Sequence, residues 1–278
     1  MFNRSTKEKK EKMRSEGKIR LENMDCIELL RTLPDNSIDL LLQDPPYNTT
    51  NCDWDVKINF ADLWEEWDRV CKPNAAMVFT ASQPFSTDLI NSNRKIFRYE
   101  WIWQKNRGNN FMNLKYMPFK EHENILVFYK EKPTYNPQRI LRSFESLKRD
   151  PIGSTRNCYG KNTKHSIHPT TNVKRNDECK LNEDGLREPS SVIYFEIATE
   201  RNGKNKHQTA KPLNLFRYLI KTYSNENDTV FDGFVGSGTT AIACIKEGRN
   251  FIGAELDKDF YDYANKEIDL ELSQIKLF

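Results

Sequence analysis

Short apolar runs alternate with stretches of helical spacing along most of the chain, the pattern of a parallel α/β sheet. Ile19–Asn23 reads as a strand, and Cys26, Ile27, Leu29, Leu30 and Leu33 form the apolar face of a short helix ended by Pro34. Ile38–Gln43 is a continuous apolar run of the kind buried on both sides in the middle of a sheet. Phe60, Leu63, Trp64, Trp67 and Val70 recur at helical spacing, and Ala75–Thr80 is the next strand. Phe97, Tyr99, Trp101 and Trp103 alternate with Arg98, Glu100 and Ile102, which predicts a half-buried strand with those aromatics on one face. Ile125–Tyr129 follows as another.

The pattern breaks at about residue 131 and returns at about 207. Between them Gly, Asn, Pro, Lys and Arg dominate, and only Ser191–Ile197 resembles a strand. So long a stretch without periodicity is expected to be functional or mobile. Beyond it come a helix near Leu213–Tyr223, a strand Thr229–Asp232, a helix Thr239–Glu247, a strand Phe251–Glu255 and a final helix from Asp259. The expected organisation is a basic tail 1–18, core halves 19–130 and 207–278, and an irregular insert 131–206.

Charge sharpens that division. Net charge is only +3, but residues 131–206 carry 15 Lys+Arg against 10 Asp+Glu, and residues 1–20 carry 8 against 3. Two basic segments around an acidic body suit a polyanion. No apolar run is long enough to span a membrane, and the charged N-terminus lacks the apolar centre of a signal peptide, so a cytoplasmic protein is expected. The six cysteines form no C-x-x-C pair and read as buried small side chains. Cys158, His165, His168 and Cys179 have zinc-ligand chemistry, but the two histidines are closer than a zinc site spaces them. No metal is expected.

Two motifs carry chemistry. Asp232-Gly-Phe-Val-Gly-Ser-Gly-Thr-Thr240 lies between a strand and a helix, where glycines let backbone approach a ligand. Thr239 stands where a P-loop needs lysine, so a P-loop is excluded. Gly236-x-Gly238-x-x-Ala241, with Glu255 placed for ribose hydroxyls, fits a dinucleotide or S-adenosylmethionine equally well. The loop identifies an adenosine ligand and leaves its kind open.

Gln43-Asp44-Pro45-Pro46-Tyr47 follows directly on the buried strand, at the edge where α/β sheets bind ligands. An exocyclic base amine is a poor nucleophile because its lone pair is delocalised into the ring. Asp44 and the Pro45 carbonyl could each accept one N–H and localise that pair. Tyr47 offers a face for an extruded base. A nicotinamide oxidoreductase would explain the glycine loop but leave this turn without a task.

With both motifs in place the chain resembles the permuted class of DNA amino-methyltransferases, in which the catalytic motif precedes the cofactor loop. Asp44, Pro45, Pro46 and Tyr47 match that family's catalytic motif, and Asp rather than Ser at 44 is similar to its adenine-N6 members. Asp232, Phe234, Gly236, Ser237, Gly238, Thr239 and Thr240 match its cofactor motif. Gly233 replaces the usual proline, a departure expected to alter only turn rigidity. Lys211-Pro212 resembles the pair that precedes the cofactor strand, and Asp25-Cys26 the pair that touches the cofactor adenine.

The resemblance implies a doubly wound, seven-stranded, mostly parallel sheet with one antiparallel strand, base flipping and S-adenosylmethionine. It makes the insert the target-recognition region, with Arg139, Arg142, Lys148, Arg149, Arg156, Lys161, Lys164, Lys174 and Arg175 as candidate phosphate contacts. Double-stranded DNA is the expected partner, with a cognate restriction endonuclease and a second copy of the chain as further ones. N4-cytosine methylation and a non-catalytic DNA-binding relative are the alternatives. C5-cytosine chemistry needs a cysteine after proline, and none of the 12 prolines has one.

Overall fold

A computed structural model describes residues 13, 17–47, 59–109, 111–141, 186–197 and 210–274. The chain divides into two compact units, Met1–Asn136 with Ser191–Phe278, and Pro137–Ser190. In the first unit the strands are β1 (Ile19–Glu22), β2 (Ile38–Gln43), β3 (Cys71–Ala81), β4 (Phe97–Asn109) and β5 (Lys120–Phe128). The helices among them are α1 (Cys26–Thr32), α2 (Phe60–Val70) and α3 (Phe85–Ser92). In the second unit, β6 (Ile140–Leu141) pairs antiparallel with β7 (Leu186–Arg187). The first unit resumes with β8 (Val192–Tyr194), α4 (Leu213–Tyr223), β9 (Thr229–Asp232), α5 (Thr239–Glu247), β10 (Asn250–Ala254) and α6 (Lys258–Gln274).

Among the described residues, eight strands form one sheet in the order β1-β10-β9-β2-β3-β5-β4-β8. Only β5 runs antiparallel to its neighbours. Seven of these strands are the expected ones of the core, and β8, within the strand-like stretch Ser191–Ile197, adds an eighth at the edge, parallel to β4. Helices cover both faces. On one, α4, α5 and α6 bury Leu219, Ile220, Cys244 and Ile268 against Leu40, Leu42, Val78 and Val127. On the other, α1, α2 and α3 bury Leu29, Leu30, Trp67 and Leu89 against Leu41, Phe79, Leu126 and Phe128. Fully burying an apolar side chain of this size stabilises by roughly 1.5–3 kcal/mol, so β2, apolar on both faces, is anchored from two sides.

The aromatic strand departs from the expected one-face pattern. A register shift between Phe97 and Tyr99 inserts one residue into the ladder with β5. Phe97 therefore packs on Phe128 with the α2 layer, while Tyr99, Trp101 and Trp103 face the α4 layer. There Trp101 Nε1 donates to the Tyr223 hydroxyl at 2.7 Å.

The topology fixes where chemistry can occur. From β2 the chain crosses through α2 to β3 on one side; from β9 it crosses through α5 to β10 on the other. Neighbouring strands β2 and β9 thus flank the point where the winding reverses, and in open α/β sheets ligands bind beyond the carboxyl ends of such strands. Asp44 follows β2 there, and Asp232 ends β9. Among the described residues, no helix is long and apolar enough to cross a membrane.

Candidate active site

Asp44 leaves the sheet at the end of β2 and is held from three directions. Lys211, just ahead of α4, places its ammonium 2.7 Å from the carboxylate. The Tyr47 hydroxyl donates to Asp44 Oδ1 at 2.9 Å, and Thr80 on β3 donates to the same oxygen. Lys211 is itself nearly buried and lies 3.6 Å from Glu123 on β5, which also pairs with Lys105. Burial alone would depress the Lys211 ammonium, but Asp44 and Glu123 together raise its pKa above the ordinary lysine value. Burial works the other way on Glu123, yet Lys211 and Lys105 pull its pKa below the usual carboxylate value. Four charged groups of alternating sign, Lys105–Glu123–Lys211–Asp44, thus reach from β4 to the turn after β2.

The Tyr47 ring stacks on Phe85, the first residue of α3, at 5.1 Å with planes 30° apart. Lys211 Nζ sits over the ring at 5.4 Å. The hydroxyl is spent on Asp44 and Thr80, and burial pushes it well above the ordinary tyrosine pKa, so it stays a donor. The sequence leaves Tyr47 two readings, a face for a base or a hydroxyl that anchors the turn, and the bonds to Asp44 and Thr80 are those of the second.

The glycine loop is built differently. Asp232 is buried, accepts from Phe234 N at 2.9 Å and from the Thr240 hydroxyl, and is pushed by burial to about 7. Asp232 and Thr240 therefore brace the loop from within. Gly236 and Gly238 have φ of +53° and +86°, left-handed values that favour glycine. Gly238 caps α5, and the Ser237 and Thr239 hydroxyls lie 3.2 Å apart. Glu255, just past β10, accepts from Gly236 N at 2.7 Å and from Asp257 N at 2.9 Å. Burial raises its pKa, which those backbone donors partly oppose.

Gly233 is fixed by packing. A Cβ there would lie 2.1 Å from Cys26 Sγ and 3.3 Å from Gln43 Nε2. The missing proline is thus a matter of space shared with Cys26, a correction to the expectation of a rigidity change alone. Cys26 is buried, its thiol pKa pushed far up by burial and by Asp25 and Asp232. Asp25 Oδ1 caps α1 by accepting from Ile27 N at 2.8 Å, worth about 1 kcal/mol. Phe234 packs partly buried on the α1–α3 layer. The Gln43 amide is buried, and among the described residues neither of its atoms has a hydrogen-bond partner. Such groups are nearly always satisfied, so this amide marks a place for a polar ligand group.

These residues lie at the carboxyl ends of β1, β2, β9 and β10 and fit an adenosine-bearing cofactor. The glycines expose backbone, Glu255 has acceptor capacity for ribose hydroxyls, and Gln43 awaits a partner. Thr80, Phe85, Lys105 and Glu123 were not singled out from sequence. Of the proposed DNA contacts, only Arg139 is described, 3.2 Å from Glu188 within the second unit. Arg142, Lys148, Arg149, Arg156, Lys161, Lys164, Lys174 and Arg175 lie outside the described residues, as do Cys158, His165, His168, Cys179 and most of the basic tail.

The model of the N6/N4 DNA methylase family matches residues 38–266. The Type II methyltransferase M1.MboII of Moraxella bovis is 30% identical over 258 residues, 88% of this chain and 95% of the relative. M.HpaI of Haemophilus parainfluenzae is 29% identical, over 91% of this chain and 75% of that one. The crystal structure of the M1.HpyAVI–SAM complex superposes with a TM-score of 0.56 at 25% identity, covering 90% of this chain and 99% of that one. The cytosine-N4-specific PvuII DNA methyltransferase shares the fold at 14% identity, with a TM-score of 0.58 over 91% and 92% of the two chains.

Proposed function

Proceeding from a chain that belongs to the N6/N4 DNA methylase family, we propose that it transfers a methyl group from S-adenosylmethionine to N6 of adenine in duplex DNA. The observation that carries this reading is the Asp44 carboxylate, held by Lys211, Tyr47 and Thr80 beyond the carboxyl end of β2. Its partners come from its own turn, from β3 and from the segment ahead of α4, so its oxygens are fixed before a substrate arrives, which lowers the cost of aligning them on a reacting amine. Asp44 accepts one amine N–H and the Pro45 carbonyl the other, localising the lone pair in the direction of attack. When bound, S-adenosylmethionine supplies the electrophilic methyl. Glu255 holds the ribose, the 233–238 backbone lies along the ligand, and the Gln43 amide meets one of its polar groups. Tyr47 presents its ring to the extruded base, while its hydroxyl holds Asp44 in place.

Aspartate at position 44 supports adenine as the target. By likeness to Type II methyltransferases, the protein works in restriction-modification beside an endonuclease of the same specificity. The test is expression in a methylation-deficient host, followed by mapping of modified bases across the genome. N6-methyladenine at one short sequence is the expected result. N4-methylcytosine would move the assignment to the other amine, and unmodified DNA would reject it.

A further inference from the structure

The hairpin between β4 and β5 carries a feature that methyl transfer does not use. In the ten residues between these strands, Phe111, Met112, Leu114, Tyr116 and Met117 are exposed, Met112 at 93% and Tyr116 at 85%. So many large apolar side chains on one loop mark a contact surface, since isolated ones need no explanation but a cluster does. The loop is built to hold them out. A 3-10 turn covers Phe111–Asn113, and Asn113 O accepts from Tyr116 N at 2.9 Å and Met117 N at 3.1 Å. Phe119 meets Phe111 edge-on at 5.1 Å and lies over Gly108 so closely that a Cβ there would be 2.1 Å from its ring. Phe119 thus clamps the root of the tip.

Place and charge identify the occupant. Strand β4 runs in the same direction as β2, so its carboxyl end opens on the edge that holds Asp44. The root is tied to that edge, because Lys120 donates to Ser82, one residue beyond β3. From 101 to 120 the chain carries Lys105, Arg107, Lys115 and Lys120 and no acidic residue. Apolar side chains flanked by the exposed cations Arg107 and Lys115, beside a base-modifying site, match the duplex itself, with phosphates outside and stacked bases within.

We propose that this tip is a wedge for duplex DNA. Met112 and Tyr116 press into the stack where the target base has left, and Arg107 and Lys115 meet the flanking phosphates. The inference rests on the reading of the site as one that works on an extruded base. Extrusion costs a few kcal/mol of lost stacking and pairing. Apolar side chains entering the gap offset that cost.

The double variant Met112→Ala/Tyr116→Ala tests it, because both side chains stand in solvent and the fold does not need them. The probe is a fluorescent duplex carrying the sequence that the wild-type protein methylates in the genome-mapping experiment. It is prepared once fully matched and once with an abasic position opposite the target. Melting temperature and S-adenosylmethionine affinity are expected to stay at wild-type values. Affinity for the matched duplex should fall by about 5- to 150-fold, the range for one lost stacking contact. On the abasic duplex, where no pair must be broken, the loss should be about threefold or less. Tyr116→Phe should behave as wild type. Equal losses on both duplexes would make the tip a plain DNA contact and overturn the wedge. Unchanged DNA binding, with a wild-type dimer turned monomer, would make it a self-association face and also overturn it. If the wild-type protein methylates no DNA, the reading of the site fails first and the wedge with it.

Discussion

Asp44 and Asp232 stand at the carboxyl ends of neighbouring parallel strands, Asp232 as the last residue of β9 and Asp44 one residue past β2, and their surroundings differ. Asp44 meets an ammonium and two hydroxyls, Lys211, Tyr47 and Thr80, at a half-open edge. Asp232 meets one backbone N–H and the Thr240 hydroxyl in a buried setting, and its pKa climbs to about 7. The first geometry leaves a carboxylate partly exposed at the sheet edge; the second turns one inward to hold a glycine loop in shape. Two residues of register separate the buried aspartate from the one at the sheet edge, and the side chains of adjacent elements that surround each differ accordingly.

The comparison breaks most visibly at Asp44. Asp44→Ala is expected to cut turnover by about a thousandfold, as when one group acting in the transition state is removed. Isothermal titration should find S-adenosylmethionine affinity within a few-fold of wild type. Lys211→Met leaves Asp44 and Glu123 facing each other without their shared cation. Breaking a buried pair costs about 3–5 kcal/mol, so both melting temperature and turnover should drop, and Glu123→Gln added to Lys211→Met should restore part of the stability.

Gly233→Ala probes the loop. Overpacking against Cys26 costs about 1–3 kcal/mol, and Cys26→Ala should suppress most of it in a double-mutant cycle of denaturation midpoints. Additive losses would mean that the two residues do not share the space. Tyr47→Phe removes one hydrogen bond to the Asp44 carboxylate and keeps the ring. About 1.5–3 kcal/mol rides on a hydrogen bond to a charged group, so turnover should fall about tenfold or more, and Tyr47→Ala should lose further activity by removing the stack.

The smallest effect concerns pH. The Asp232 pKa is raised from 3.8 to about 7, so the folded state keeps its proton while the unfolded chain releases it. That contribution is complete below about pH 4 and is lost as pH rises through about 7. Asp232→Asn should flatten the fall in melting temperature across that window. An unchanged slope would mean that Asp232 is not the titrating group.

How much of this was legible in the sequence follows from the range of each interaction. β2, β9 and α4 announce themselves because their apolar periodicity is local. The short helix α3 escaped notice, since Phe85 and Leu89 are its only large buried apolar residues. The inserted residue near Arg98 was equally hidden, because alternation in sequence continues across a bulge that only pairing with β5 defines. Asp44, Tyr47 and the glycine loop stood out as motifs. Glu123 and Lys105 did not, because their significance depends on Lys211 meeting them from a distant part of the chain. The tight fit of Gly233 against Cys26 is likewise a tertiary fact that no spacing encodes.

The most direct measurement supplies S-adenosylmethionine with an isotopically labelled methyl group to wild-type protein and to Asp44→Ala, each with duplex DNA, and identifies labelled nucleosides by mass spectrometry. Label on N6-methyladenosine of the deoxy series with wild type, and its near-absence with an Asp44→Ala protein that still binds the cofactor, is the expected result. Label in similar amount from both proteins, or none in DNA from either, would contradict the role given to Asp44 and the chemistry built on it.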